Sequence, residues 1–142
     1  MGAACCGRAA NLADAELAED FSYAGLTVPA RVLSVYDGDT VRVAFLYRGE
    51  LQQHRVRLLG YDSPEMRQPR DAPDRGEQKA AAVAARDALA RHTGLGQGPG
   101  RVSLTCGPFD KYGRILGRVY TPAGQCINNL MLLEGHGSPY NP

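Results

Sequence analysis

The chain has 142 residues, 44% of them hydrophobic and 22% charged, with a formal net charge of +1. That length supports one domain with a hydrophobic core of its own, needing no disulfide or metal staple. The balance is that of a globular protein; no apolar run approaches the roughly 20 residues of a bilayer span, and the N-terminus lacks the basic-then-apolar order of a secretory signal, which makes the cytoplasm the default compartment.

Residues 1–29 read as a flexible leader with some helical character over 10–20 and little apolar surface. They carry Arg8 against Asp14, Glu16, Glu19 and Asp20, so −3, which leaves residues 30–142 at +4. The body therefore tolerates a polyanionic partner without demanding one. The opening MGAACC offers Gly2 as a myristoylation acceptor and Cys5 and Cys6 as palmitoylation acceptors. Two such lipids would anchor the chain stably; without them no membrane contact is expected.

From residue 30 the pattern turns β-rich. Residues 30–36 and 40–47 flank an Asp37-Gly38 turn, and Val41, Val43 and Phe45 alternate with Arg42 and Ala44. Asp-Gly between β-branched residues is a strong hairpin signal, with Gly38 expected to supply a positive φ and Asp37 to cap the turn. That logic leaves Asp39 unexplained. A third strand follows at 51–59, where Val56 and Leu58 are expected to face one way and Arg55 and Arg57 the other. Residues 60–76 are a polar loop rich in Pro, Asp and Arg. Residues 77–92 are a helix by propensity, closed by Gly94. After a glycine-rich connector come strands at 101–106 and 114–121, then a helix over 125–134 with Ile127, Leu130 and Met131 on one face.

Three strands, a helix, two strands and a helix suit a mainly β fold, a five-stranded Greek-key barrel of OB type. In that architecture the connections between strands 1–2 and 4–5, here YDGDT and GPFDKYGR, face oligonucleotide ligands. Cys5, Cys6, Cys106 and Cys126 form no C-x-x-C pair, and His54, His92 and His136 have no zinc spacing. Free thiols are the default, a Cys106–Cys126 disulfide the alternative.

A second acidic cluster, YDSPE, places Asp62 and Glu65 just past the third strand, with Pro64 holding Ser63 extended. Taken singly, these acids, Arg57 and Arg114 are turn formers or surface charges. Together they gather at strand ends that a barrel brings close. Oxygen ligands without His or Cys suit a hard cation such as Ca²⁺, arginines match phosphate oxygens, and a spare glutamate can activate water. The set fits metal-assisted phosphodiester hydrolysis.

With DGDTV at 37–41, RLLGYDSPE at 57–65, GEQKA at 76–80 and DKYGR at 110–114, the chain resembles the staphylococcal nuclease (thermonuclease) family. The resemblance runs over residues 30–142. It implies an OB-fold, Ca²⁺-dependent endonuclease acting on DNA and RNA as a monomer, with no obligate protein partner. By that resemblance Asp39, Asp62 and the backbone carbonyl of Ser63 match the metal ligands, and Arg57, Glu65 and Arg114 match the catalytic residues. Lys111, Tyr112 and Tyr140 match residues around the substrate, and Asn128 matches a helix-anchoring asparagine. Family members commonly continue into a further C-terminal helix, whereas this sequence ends at Pro142, so weaker stability or substrate grip is expected unless SPYNP caps the barrel. The alternative is a nuclease-like module, weakly active or inactive, that binds nucleic acid or protein.

Overall fold

The computed structural model describes residues 11–96 and 98–140; Gly2, Cys5 and Cys6 lie outside them. After a short 3-10 helix at Leu12–Leu17, the elements are β1 (Thr27–Asp37), β2 (Thr40–Tyr47), β3 (Glu50–Leu58), β4 (Tyr61–Asp62), α1 (Arg75–His92), β5 (Arg101–Phe109), β6 (Ile115–Tyr120), α2 (Ile127–Leu133) and β7 (Ser138–Pro139). Five strands close into a barrel in the order β1-β2-β3-β6-β5. All its pairings are antiparallel except β3 with β6, where Val56 stands opposite Ile115. This is the expected OB-type barrel, with α1 between the third and fourth barrel strands.

The barrel closes around the inward residues of the alternating pattern. Val32, Val41, Val43, Val56, Leu58, Leu104, Ile115 and Val119 are almost wholly buried, each contributing on the order of 1.5–3 kcal/mol of burial. Helix α1 lies against the barrel through Ala82, Ala85, Ala88 and Leu89, small residues that let its backbone come close. It ends at Thr93, whose hydroxyl donates to the Leu89 carbonyl at 2.9 Å, and Gly94 follows at φ +75°. Cys106 and Cys126 are both free thiols. Burial pushes the Cys106 thiol up to about 11, whereas Cys126, at the start of α2, is only half-buried. No described helix is long and apolar enough to cross a membrane.

Four expectations need correction. Strand β1 begins at Thr27 rather than 30, and Tyr23, expected in the leader, is buried. Its ring packs edge-on against Phe21, Phe45 and Tyr47 at 4.7, 5.2 and 5.0 Å, and its hydroxyl meets His54 Nε2 at 2.9 Å. One aromatic plugging the barrel's end leaves no periodicity to read. Arg57 alternates with Val56 and Leu58 as expected, but unlike Arg55 it is no surface charge: it is largely buried because the chain after β3 folds back over it. In α2 the buried face is Ile127, Asn128 and Met131, with Leu130 only half-buried. The Asn128 side chain accepts from Val119 N–H at 3.0 Å and donates to the Leu59 and Gly117 carbonyls at 2.8 and 3.1 Å. Asn128 is thus the helix anchor that the resemblance implied, and it shares the buried face with Ile127 and Met131 where Leu130 was expected. Finally, the loop after β3 contains β4, which pairs with β7 through Tyr61–Pro139 and Asp62–Ser138. Ser138 and Pro139 are thereby tied to the segment that follows β3.

Candidate active site

The Asp37–Thr40 hairpin forms as expected, but for another reason. Gly38 is not at positive φ. A Cβ there would lie 2.6 Å from both Ala85 Cβ and Ser63 Cβ, so glycine is required because the turn is wedged between α1 and the 62–65 segment. The Tyr61 hydroxyl fastens the same turn by donating to the Gly38 carbonyl at 2.6 Å.

This wedge aims Asp39. Its backbone N–H donates to Asp37 at 3.0 Å, and its carboxylate accepts from Thr40 Oγ1 at 3.1 Å and from Ser63 N–H at 3.0 Å. Directly across the β2–β3 ladder from Thr40 stands Arg57. Its guanidinium is fixed by donating to the Leu58 and Tyr61 carbonyls at 2.6 and 2.9 Å. One nitrogen lies 3.5 Å from Asp39, and the other is ion-paired with Asp62. A single arginine thus joins the two acids that the sequence holds 23 positions apart.

Arg114 immediately precedes β6. Its Nε donates to Asp110 at 2.7 Å, and the same aspartate accepts from the backbone N–H groups of Tyr112 and Arg114, each at 2.9 Å. Burial pushes the Asp110 carboxyl up, but these bonds and the Arg114 charge outweigh it and hold it below the usual range. The Tyr112 ring lies 5.1 Å from Lys111 Nζ and 5.5 Å from the Arg114 guanidinium, and the Tyr140 ring 5.8 Å from that of Arg57. Tyr140 is held there by its N–H bond to the Gly60 carbonyl at 3.0 Å. The Glu65 carboxylate is exposed and makes no hydrogen bond or ion pair among the described residues.

All nine residues singled out for metal, catalysis and substrate line one open cleft of 580 Å³: Asp39, Arg57, Asp62, Ser63, Glu65, Lys111, Tyr112, Arg114 and Tyr140. Asp37 and Asp110 line it too. Neither stands among the candidates read from the sequence; the Asp-x-x-Gly spacing at 110–113 is the signal that could have marked Asp110 as the residue orienting Arg114.

The donors suit a hard cation. Every side-chain ligand atom available is oxygen. Burial, with the Asp39 charge beside it, pushes the Asp37 carboxyl up to about 6. Ser63 Oγ is buried there without a partner. Among the described residues no three His, Cys, Asp or Glu side chains converge as a ready-made cage. Asp39, Asp62 and the Ser63 carbonyl would supply part of a shell of about six to eight oxygens, leaving room for water and phosphate.

Residues 55–141 match the model of the family described as staphylococcal nuclease homologue. That span includes every residue of the cleft except Asp37 and Asp39. The chain is also 32% identical over 108 residues to an "uncharacterized endonuclease" of Escherichia coli, and equally so to one of Escherichia coli O157:H7. Each alignment covers 76% of this chain, which spans only 58% of the relative's length. Matched over more than half its length, a span that holds both helices, the end of β3 and the strands β5 and β6, the chain belongs to the staphylococcal nuclease homologue family.

Proposed function

We propose that this protein is an endonuclease that hydrolyses phosphodiester bonds of DNA and RNA, with Ca²⁺ as cofactor and little sequence or sugar specificity. The observation that carries the reading is the Arg57 guanidinium held against both Asp39 and Asp62 in the cleft that also holds Glu65 and Arg114. The names of the two relatives favour an enzyme of this class over a binding module.

Ca²⁺ held by Asp39, Asp62 and the Ser63 carbonyl would polarise a phosphoryl oxygen as a Lewis acid. Arg57 and Arg114, brought together by the paired strands β3 and β6, donate to the remaining oxygens, where negative charge grows as water attacks phosphorus in line. Arg114 is held by Asp110 and Arg57 by the Leu58 and Tyr61 carbonyls, and the Arg57 nitrogen paired with Asp62 would turn to the phosphate as Asp62 takes the cation. Glu65, unencumbered at the cleft mouth, takes the proton of the attacking water. Lys111, Tyr112 and Tyr140 border the space for the rest of the nucleotide. Water is the attacking group, and no covalent intermediate is required.

Comparing wild type with Asp39→Ala and Glu65→Gln on single-stranded DNA and RNA in Ca²⁺ tests this reading. Both variants should keep their thermal transitions near wild type and lose roughly 10²-fold or more in cleavage rate, the low end of general-base effects. Folded variants cleaving at the wild-type rate would refute it.

A further inference from the structure

A second cleft, of 530 Å³, adjoins the first on the outer face of β1–β3, and Asp37 and Arg114 line both. Its floor is the cross-strand pair Arg42–Arg55. Like charges directly opposite on a sheet repel, and neither arginine forms an ion pair among the described residues. Arg55 is steered towards the first cleft by donating to the Tyr112 carbonyl at 2.7 Å. On the β1 wall, next to Asp37, Tyr36 stands 74% exposed, and Ser34 two residues before it pairs with Arg42. No hydrogen bond or aromatic contact among the described residues uses that ring. An exposed aromatic beside two arginines without ion pairs combines the parts that hold a single strand: cations for phosphates and a flat ring for a base.

We propose that this surface is a second subsite, binding the nucleotides of a single-stranded substrate that extend beyond the scissile phosphate. Arg42 and Arg55 hold two phosphates, and Tyr36 stacks on an unpaired base. The subsite rests on the nuclease reading for its purpose, and its consequence is a preference for single strands over duplex, whose bases are not free to stack on Tyr36. Charge complementarity admits a polyanion, and the exposed Tyr36 ring and continuity with the first cleft favour a nucleic-acid strand over an acidic protein.

The test is fluorescence anisotropy of a labelled single strand in chelator, so that binding is read without cleavage, using a length of about 12 nucleotides, within the span of one OB barrel. Arg42→Gln/Arg55→Gln should weaken binding roughly ten-fold and lower the slope of log affinity against log salt by about 1.4, or 0.7 per lost phosphate contact. Tyr36→Ala should weaken single-strand binding about five-fold or more while leaving the salt slope and duplex binding unchanged. All three positions are exposed, and circular dichroism confirms the fold of each variant. An unchanged salt slope in the double variant, unchanged single-strand affinity in Tyr36→Ala, or equal displacement of the strand by polyglutamate overturns the proposal. Failure of the wild type to cleave would refute the nuclease reading and leave this measurement intact.

Discussion

Replacing Gly38 with alanine separates two explanations of the hairpin by sign. The backbone there is not in the left-handed region, so chain entropy alone predicts that Gly38→Ala stabilises the fold by about 0.4–1 kcal/mol. Space predicts the reverse. The added Cβ would sit 2.6 Å from Ala85 Cβ and Ser63 Cβ and 2.9 Å from Ser63 Oγ, whereas carbon atoms pack at about 3.5–4.0 Å. An overlap of about 1 Å on both sides cannot be relieved by a rotamer change, because alanine has none and both Cβ atoms move only with their backbones. The hairpin must therefore lift from α1, at a cost of about 1–3 kcal/mol. Asp39 moves with it, away from Ser63 N–H and Arg57, and a misplacement of that size costs on the order of 10²-fold in rate. Urea denaturation and initial cleavage rates read the two effects separately. Ala85→Gly should partly rescue the stability of Gly38→Ala while costing about 1 kcal/mol in the wild-type background, since glycine weakens a helix interior. A Gly38→Ala protein as stable as wild type, or more so, would refute the steric account.

Other consequences concern the groups around that hairpin. Asp37 is protonated more readily in the folded than in the unfolded chain, its carboxyl being raised to about 6. In chelator, stability should therefore fall as pH rises from about 4 to about 6, by on the order of 1 kcal/mol after allowance for its partial exposure, and Asp37→Asn should flatten that profile in chemical denaturation. Asn128→Ala removes three buried hydrogen bonds and should destabilise by about 2–4 kcal/mol in the same assay, with the cleft unchanged when folded. Tyr61→Phe deletes only the bond to the Gly38 carbonyl; it should cost about 1 kcal/mol of stability and a larger share of the cleavage rate than Asn128→Ala at equal stability.

The barrel was legible because its strands alternate: 40–47 buries Val41, Val43 and Phe45 as the pattern required, and 101–106 buries Val102, Leu104 and Cys106 in the same way. The cleft was legible because the OB-type order brings the two turn motifs to one end. Features set by packing between distant segments were not. Gly38 was read from local turn chemistry, while its real constraint comes from Ala85 and Ser63. Arg57 alternates correctly along β3, yet residues 59–62 cover the face that alternation assigns to solvent. The β4–β7 pair has two residues per strand, too few for any period to register. Tyr23 follows an acidic, polar segment, and only the open end of the barrel gives its ring somewhere to go. Asp110 looked like a turn residue because it is one; that it also grips Arg114 follows from the guanidinium folding back over the turn.

The central claim is that Asp39 and Asp62, joined by Arg57, hold a cation that enables phosphodiester hydrolysis. Incubating the wild-type protein with DNA and with RNA, in Ca²⁺ and separately in chelator, tests it most directly. The account predicts that both nucleic acids are cut in Ca²⁺ and neither in chelator. Equal cleavage under the two conditions, or none in Ca²⁺, would contradict it.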